Sequence, residues 1–137
     1  MTQTKDKIVI FVANRGYALL SSRKRLIERL IHNGFKVVIA TADDIESREL
    51  CRLGAILEPV TFYRGGLNVF NDLKAFVRLY QVYRKWQPVL IHHFHAKPVI
   101  FGSIAAKMTP VKDMSIVNTI TGLGSAFIKG GGIKVLA

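Results

Sequence analysis

A Rossmann-like α/β fold, with a parallel sheet of about five strands flanked by helices, is the architecture this sequence predicts. Three observations carry it. Short β-branched runs alternate with stretches whose apolar residues recur at helical spacing. The connections between them are short. The first run, Lys7-Ile-Val-Ile-Phe-Val-Ala13, is continuously apolar, as a strand covered on both faces requires. Such alternation closes into a parallel sheet through right-handed crossovers.

After that first strand, Asn14-Arg-Gly-Tyr17 breaks the pattern. From about Ser21 to Asn33, Leu26, Ile27, Leu30 and Ile31 mark a helix, with Arg23, Lys24, Arg25 and Arg29 elsewhere on its wheel; Asn33-Gly34 stops it. Lys36–Ala40 is the second strand. Asp43 or Asp44 then caps a short helix through Leu53, Gly54 ends it, and Ala55–Phe62 supplies the third strand. Arg64-Gly-Gly-Leu-Asn68 is a loop by composition. Asp72–Gln87 is the clearest helix, with Leu73, Phe76, Val77, Tyr80 and Tyr83 as its expected buried stripe and Pro88 as its terminator. Val89–His93, Pro98–Met108 and Ser115–Thr119 follow as strand, small-residue helix and strand, and Gly122-Leu-Gly124 as a turn.

Composition excludes several classes. Half of the 137 residues are apolar and 21% are charged, which suits a folded core and not a disordered chain. A single cysteine leaves no internal disulfide, so a reducing compartment is the default. The polar start is not a signal peptide, and the longest uncharged stretch, Ser115–Ile128, is too short and Gly-rich to span a bilayer. The net charge is +11, from 20 basic against 9 acidic residues. Between Val60 and Lys112 there are eight Lys or Arg and one acid, Asp72. That bias favours a polyanion: a nucleic acid, an anionic leaflet or a phosphorylated substrate. The helical tyrosines fall on the expected buried stripe, which weakens the nucleic-acid reading.

In open α/β sheets, ligands bind beyond the carboxyl ends of the strands, where helix N-termini present free N–H groups. Four loops meet that condition. Asn14-Arg15-Gly16 lacks the GxGxxG dinucleotide fingerprint, but its Gly and Arg could admit a phosphate. His95-Ala-Lys97-Pro98 sets a cation at a helix start, with Pro98 at its first position. Thr121-Gly122-Leu-Gly124 lets backbone approach a ligand, and Arg64 sits in a basic loop at the same edge. His92 and His93 should point to opposite faces; together with His95 they suggest zinc, but no fourth ligand is evident. No P-loop or nucleophile elbow is present, and Cys51 has no adjacent base.

Taken together, Arg64-Gly-Gly-Leu-Asn68 with Asp72-Leu73, Gln87-Pro88-Val-Leu-Ile-His92, His95-Ala-Lys-Pro98 with Ile104-Ala-Ala106, and Asn118-Thr-Ile-Thr-Gly-Leu-Gly124 with Phe127 resemble the N-terminal domain of GT-B glycosyltransferases of family 4. The similarity is greatest to bacterial members acting in O-antigen and capsule synthesis. It covers roughly residues 7–130.

The resemblance implies sugar transfer from a nucleotide-sugar donor, with retention and without a metal or other cofactor. It implies a polyprenyl-diphosphate-linked acceptor at the inner face of the cell membrane. The substrate-binding residues it implies are Asn14, Arg15, Gly16, Arg64, His95, Lys97, Thr121, Gly122 and Gly124. Two positions depart from many relatives: Val89 stands where they have Asp, and Thr121 where they have His. Residues 1–137 then read as one acceptor-side domain cut before its donor-binding partner, and inactive by itself. The alternative is a non-catalytic module that binds a phosphorylated ligand or an anionic membrane. Docking is expected through Lys74, Arg78, Arg84 and Lys85 on one helix and Arg23, Lys24, Arg25 and Arg29 on another, with no nucleic-acid partner.

Overall fold

The computed structural model describes residues 7–63, 66–110 and 113–120. Among the described residues nine elements alternate: β1 Ile8–Val12, α1 Gly16–His32, β2 Lys36–Thr41, α2 Ile45–Arg52, β3 Ile56–Pro59, α3 Val69–Trp86, β4 Leu90–Phe94, α4 Ala96–Met108 and β5 Ser115–Thr119. The strands form one sheet in the order β3-β2-β1-β4-β5, and every neighbouring pair is parallel. Val9 lies opposite Val37 on one side and Leu90 on the other, so β1 is central.

The period of two along β1 builds two cores. Ile8, Ile10 and Val12 pack with Leu79, Val82 and Tyr83 of α3 and with Ala105 and Ala106 of α4. Val9 and Phe11 face the other way, onto Leu19 and Ile27 of α1 and Leu50 of α2. All five β1 residues are buried, which is why the run lacks polar alternation.

Several boundaries and faces differ from the sequence expectation. Helix α1 begins at Gly16 rather than near Ser21, because the Gly16 N–H is held by the Asp44 carboxylate at 3.0 Å. Helix α3 begins at Val69, where the Asn68 side chain accepts from the Asn71 N–H. Its buried face is Asp72, Ala75, Leu79, Val82 and Tyr83; Leu73 and Val77, expected inside, are exposed. Two polar anchors hold this rotation, Asp72 bonded to Lys97 and Tyr83 to His93. Helix α4 starts at Ala96, so Pro98 occupies its third position, not its first. Strand β3 ends at Pro59, and Val60 and Phe62 stay buried beyond the ladder.

Some cations of the expected basic faces are paired within the molecule, although Lys85 stays exposed. Glu58 is buried and accepts from Arg78 at 2.8 Å, Lys85 at 2.9 Å and the Trp86 indole at 2.6 Å. Burial alone would raise its carboxyl, but hydrogen bonds from Lys85, Trp86 and Arg78 hold it below the ordinary range. Arg23 lies with its guanidinium 5.0 Å from the centre of the Phe94 ring. Lys74, Arg84, Lys24, Arg25 and Arg29 are exposed.

His92 and His93 do point to opposite faces. His92 stacks on Phe94, with ring centres 4.1 Å apart, while His93 is fully buried against Tyr83. Asn118 gives its amide N–H to Ser103 at 3.1 Å, so its oxygen is the acceptor for His93 Nδ1–H at 2.8 Å. That leaves His93 Nε2 bare, and it accepts from the Tyr83 hydroxyl at 2.7 Å. Burial lowers the His93 pKa to about 4; the Asn118 bond opposes the shift and His92 adds to it.

A histidine held neutral in the fold but titrating near its ordinary value when unfolded makes the unfolded state bind more protons between those two values. Stability is therefore complete above about pH 6.5 and falls by about 3 kcal/mol as pH drops toward 4. Melting temperatures measured from pH 7 to 4 should fall across this window. A flat profile there would contradict a neutral, buried His93.

Candidate functional site

The strand order reverses between β1 and β4: the chain leaves β1 toward β2 and leaves β4 toward β5. The two loops diverge and leave a crevice at the carboxyl edge, the place where such sheets bind ligands. Asn14, Arg15 and Gly16 form one wall, and His95, Ala96 and Lys97 the other.

On the first wall, Gly16 is buried and already has an anion at its N–H. Asp44 Oδ2 accepts from it, while Asp44 Oδ1 accepts from the Ser47 N–H at 2.8 Å, so one carboxylate caps both α1 and α2. Gly16 therefore serves helix–helix contact, and a phosphate there would have to displace Asp44. Arg15 is exposed, its guanidinium 6.0 Å from the Tyr17 ring centre. Among the described residues it has no carboxylate partner. Asn14 is half-buried beside it.

On the second wall, the strand-to-helix turn is forced. His95 has φ 74° and ψ 164°, a conformation that costs a non-glycine residue about 1–3 kcal/mol. It is held there from both sides: its N–H donates to the Thr119 carbonyl at 3.1 Å, and its carbonyl accepts from Val99 at 3.0 Å. The His95 side chain does not cap helix α4, so among the described residues the Ala96 and Lys97 N–H groups at its start have no side-chain cap.

The Lys97 ammonium is committed elsewhere. It donates to the Tyr63 carbonyl at 2.6 Å, the Gly66 carbonyl at 2.5 Å and Asp72 Oδ1 at 2.7 Å. Three acceptors use all three of its donors. The Lys97 bond also holds the Asp72 carboxyl below its ordinary range. Lys97 thus braces the segment after β3 and the first turn of α3 against the start of α4. To reach a ligand with its side chain it must leave that brace.

Gly16, His95 and Lys97 accordingly share the carboxyl edge of the sheet. Arg64, Thr121, Gly122 and Gly124 lie outside the described residues. The sequence reading missed Asp44 as the anion at α1, Asp72 as the partner of Lys97, and Thr119 as the anchor of His95. Only Asp44 carried a local signal, its capping position ahead of Ser47. Among the described residues no group of three His, Cys, Asp or Glu could hold a metal ion, and no helix is long and apolar enough to cross a membrane. The crevice offers cationic and N–H donors to an anionic ligand, and His95 and Asn14 as further polar contacts.

A family model described as glycosyl transferase 4-like matches residues 8–134. No curated protein matches in sequence. Among solved structures, a glycosyltransferase from Rickettsia africae superposes with a TM-score of 0.65 at 13% identity, over 95% of this chain and 35% of its own. CalG4, the calicheamicin glycosyltransferase, gives 0.63 at 16% identity over 96% and 37%. MurG of Acinetobacter baumannii gives 0.61 at 14% identity over 93% and 40%. At such identities the likeness shows the fold. The chain spans between 35% and 40% of the length of these three.

Proposed function

Because the chain belongs to the glycosyl transferase 4-like family, we propose that it is the acceptor-side domain of a glycosyltransferase, using the crevice between β1 and β4 to hold a lipid-linked saccharide diphosphate. The observation that carries this reading is the pairing of Arg15, a cation without a carboxylate partner among the described residues, with the uncapped N-terminus of α4 across the crevice. A diphosphate satisfies both at once: the guanidinium engages two oxygens, and the Ala96 and Lys97 N–H groups face another. Asn14 and His95 stand where sugar hydroxyls would reach them.

The donor is a nucleotide sugar held mostly by parts of the protein beyond these residues. Transfer proceeds with retention onto a polyprenyl-diphosphate-linked acceptor in bacterial surface polysaccharide synthesis. The site would lie at the inner membrane face, with the exposed cations Lys74 and Arg84 of α3 toward anionic headgroups; Lys24, Arg25 and Arg29 sit on α1, which covers the other face of the sheet. This chain's residues orient the acceptor and neutralise its diphosphate, and no metal is required of them.

Titration calorimetry with a short-chain prenyl-diphosphate sugar tests the reading. The acceptor analogue should bind more tightly than a nucleotide sugar. Arg15→Gln should weaken it about tenfold, the worth of one charge-assisted hydrogen bond. Tighter binding of the nucleotide sugar, or indifference to Arg15, would contradict it.

A further inference from the structure

Asp72 is the one acid of α3, and it is buried in the first turn of that helix, on neither wall of the crevice. Its two oxygens serve two elements. Oδ2 accepts from the Asn68 N–H at 3.1 Å, which fixes the start of α3, and Oδ1 accepts from the Lys97 ammonium of α4 at 2.7 Å. The same ammonium holds the Tyr63 and Gly66 carbonyls. The Lys97 and Asp72 side chains are only 20% and 9% exposed, so removing either partner would strand a charge with little water to screen it.

The backbone of Lys97 belongs to the turn that forms the second wall. His95 there has φ 74°, and a strained residue keeps such a conformation only where its surroundings over-determine it. The Thr119 carbonyl grips the His95 N–H from the strand side, and the Val99 N–H grips the His95 carbonyl from within α4. A third attachment runs through the Lys97 side chain to Asp72. We propose that Asp72 is a positioning residue for the crevice: through Lys97 it clamps the strained 95–97 turn, so that the Ala96 and Lys97 N–H groups hold their geometry for the acceptor diphosphate.

The inference rests on the proposed function for the identity of that ligand, and it divides the work of Lys97. Its amide meets the ligand while its ammonium does not. An ammonium surrounded by three acceptors brings no free charge to the crevice, and drawing it out would leave the Asp72 carboxylate buried and unpaired. Loss of Asp72 and loss of Lys97 should therefore act in the same direction. A ligand-binding ammonium held back by Asp72 would make them act in opposite directions.

Amide hydrogen exchange on the ligand-free chain tests the clamp, with rates referred to Ile10 in the buried central strand. In Asp72→Asn the His95 and Val99 amides, both bonded in the turn, should exchange at least about tenfold faster. Lys97→Met should do the same, and it serves where Asp72→Asn folds poorly. Arg78→Gln, which breaks an ion pair of the same helix to Glu58, should leave both amides as they were. Calorimetry with the short-chain prenyl-diphosphate sugar reads the consequence. Asp72→Asn and Lys97→Met should each weaken binding about tenfold, and the double variant no more than either alone. The salt dependence of binding should not change, because no charge that meets the phosphates is lost. Unchanged exchange at His95 and Val99 would overturn the proposal, as would equal acceleration in Arg78→Gln. Tighter binding in Asp72→Asn, or additive losses in the double variant, would overturn it too. Exchange is read without acceptor, and Arg15→Gln reads the first wall, so failure of the clamp and failure of the acceptor reading are told apart.

Discussion

Gly16→Ala should lower the melting temperature by roughly 10 °C, corresponding to about 2–5 kcal/mol for a domain of this size. A Cβ at this position would lie 2.4 Å from the Ser47 backbone nitrogen, 2.5 Å from Asp44 Oδ1 and 2.9 Å from Ser47 Cα. Two of these atoms are backbone, so no side-chain rotation relieves the contact. Helices α1 and α2 must separate, and Asp44 then loses its bond to α1. Caps of this type are worth about 1 kcal/mol each.

Gly34 provides the comparison. Nothing lies within 4 Å of its added Cβ, but its φ is +90°. Gly34→Ala should therefore cost only the left-handed backbone penalty, about 1–2 kcal/mol. Thermal melts of the two variants separate close contact from backbone strain, and equal losses would contradict the contact account. Because Arg15 directly precedes Gly16 at the start of α1, Gly16→Ala should also weaken acceptor binding.

Gly102→Ala should be nearly as damaging, although alanine is the better helix former by about 1 kcal/mol. The new Cβ would lie 2.3 Å from His93 Cδ2 and Nε2 and 3.0 Å from the Tyr83 hydroxyl. The His93 ring is fully buried and bonded at both nitrogens, to Asn118 and to Tyr83. Moving it breaks the hydrogen-bonded chain from Tyr83 through the buried imidazole to Asn118. The expected loss is about 2–4 kcal/mol by denaturant unfolding. A double-mutant cycle gives a sharper test. With His93→Ala already in place, the space under residue 102 is open, and Gly102→Ala should cost little or turn favourable. Strict additivity would show that His93 is not what the glycine accommodates.

These two glycines also show where the sequence stops being legible. The β-branched runs placed the strands to within a few residues, since strand burial on both faces leaves a local imprint. The opposite orientations of His92 and His93 followed from period two alone. The rotation of α3 did not, because the helix carries two overlapping apolar stripes. Of the expected stripe, Tyr83 is fully buried and Phe76 and Tyr80 pack against the same core at its edge, but Leu73 and Val77 are exposed, and the smaller Ala75, Leu79 and Val82 face the sheet. Asp72 settles the choice through Lys97, a residue on a different helix and invisible to any local pattern.

The same limit applies at the site. Gly16 looked like a place for a phosphate until the Asp44 carboxylate, brought by the β2–α2 turn, filled it. Lys97 looked like a free cation until the fold supplied three acceptors. Both corrections come from long-range partners. What remained legible was topological: residues directly after β1 and β4 must meet at one edge of the sheet.

The central claim, that the crevice between β1 and β4 takes the acceptor diphosphate, is tested most directly by backbone amide NMR. A short-chain prenyl-diphosphate sugar is titrated into the isotopically labelled chain. The account predicts that the largest shifts fall on residues 14–17 and on Ala96, Lys97 and Val99, with saturation, and that inorganic diphosphate competes for the same amides. Shifts confined to the opposite, amino-terminal edge of the sheet, or absent from both crevice walls while the ligand binds, would contradict it.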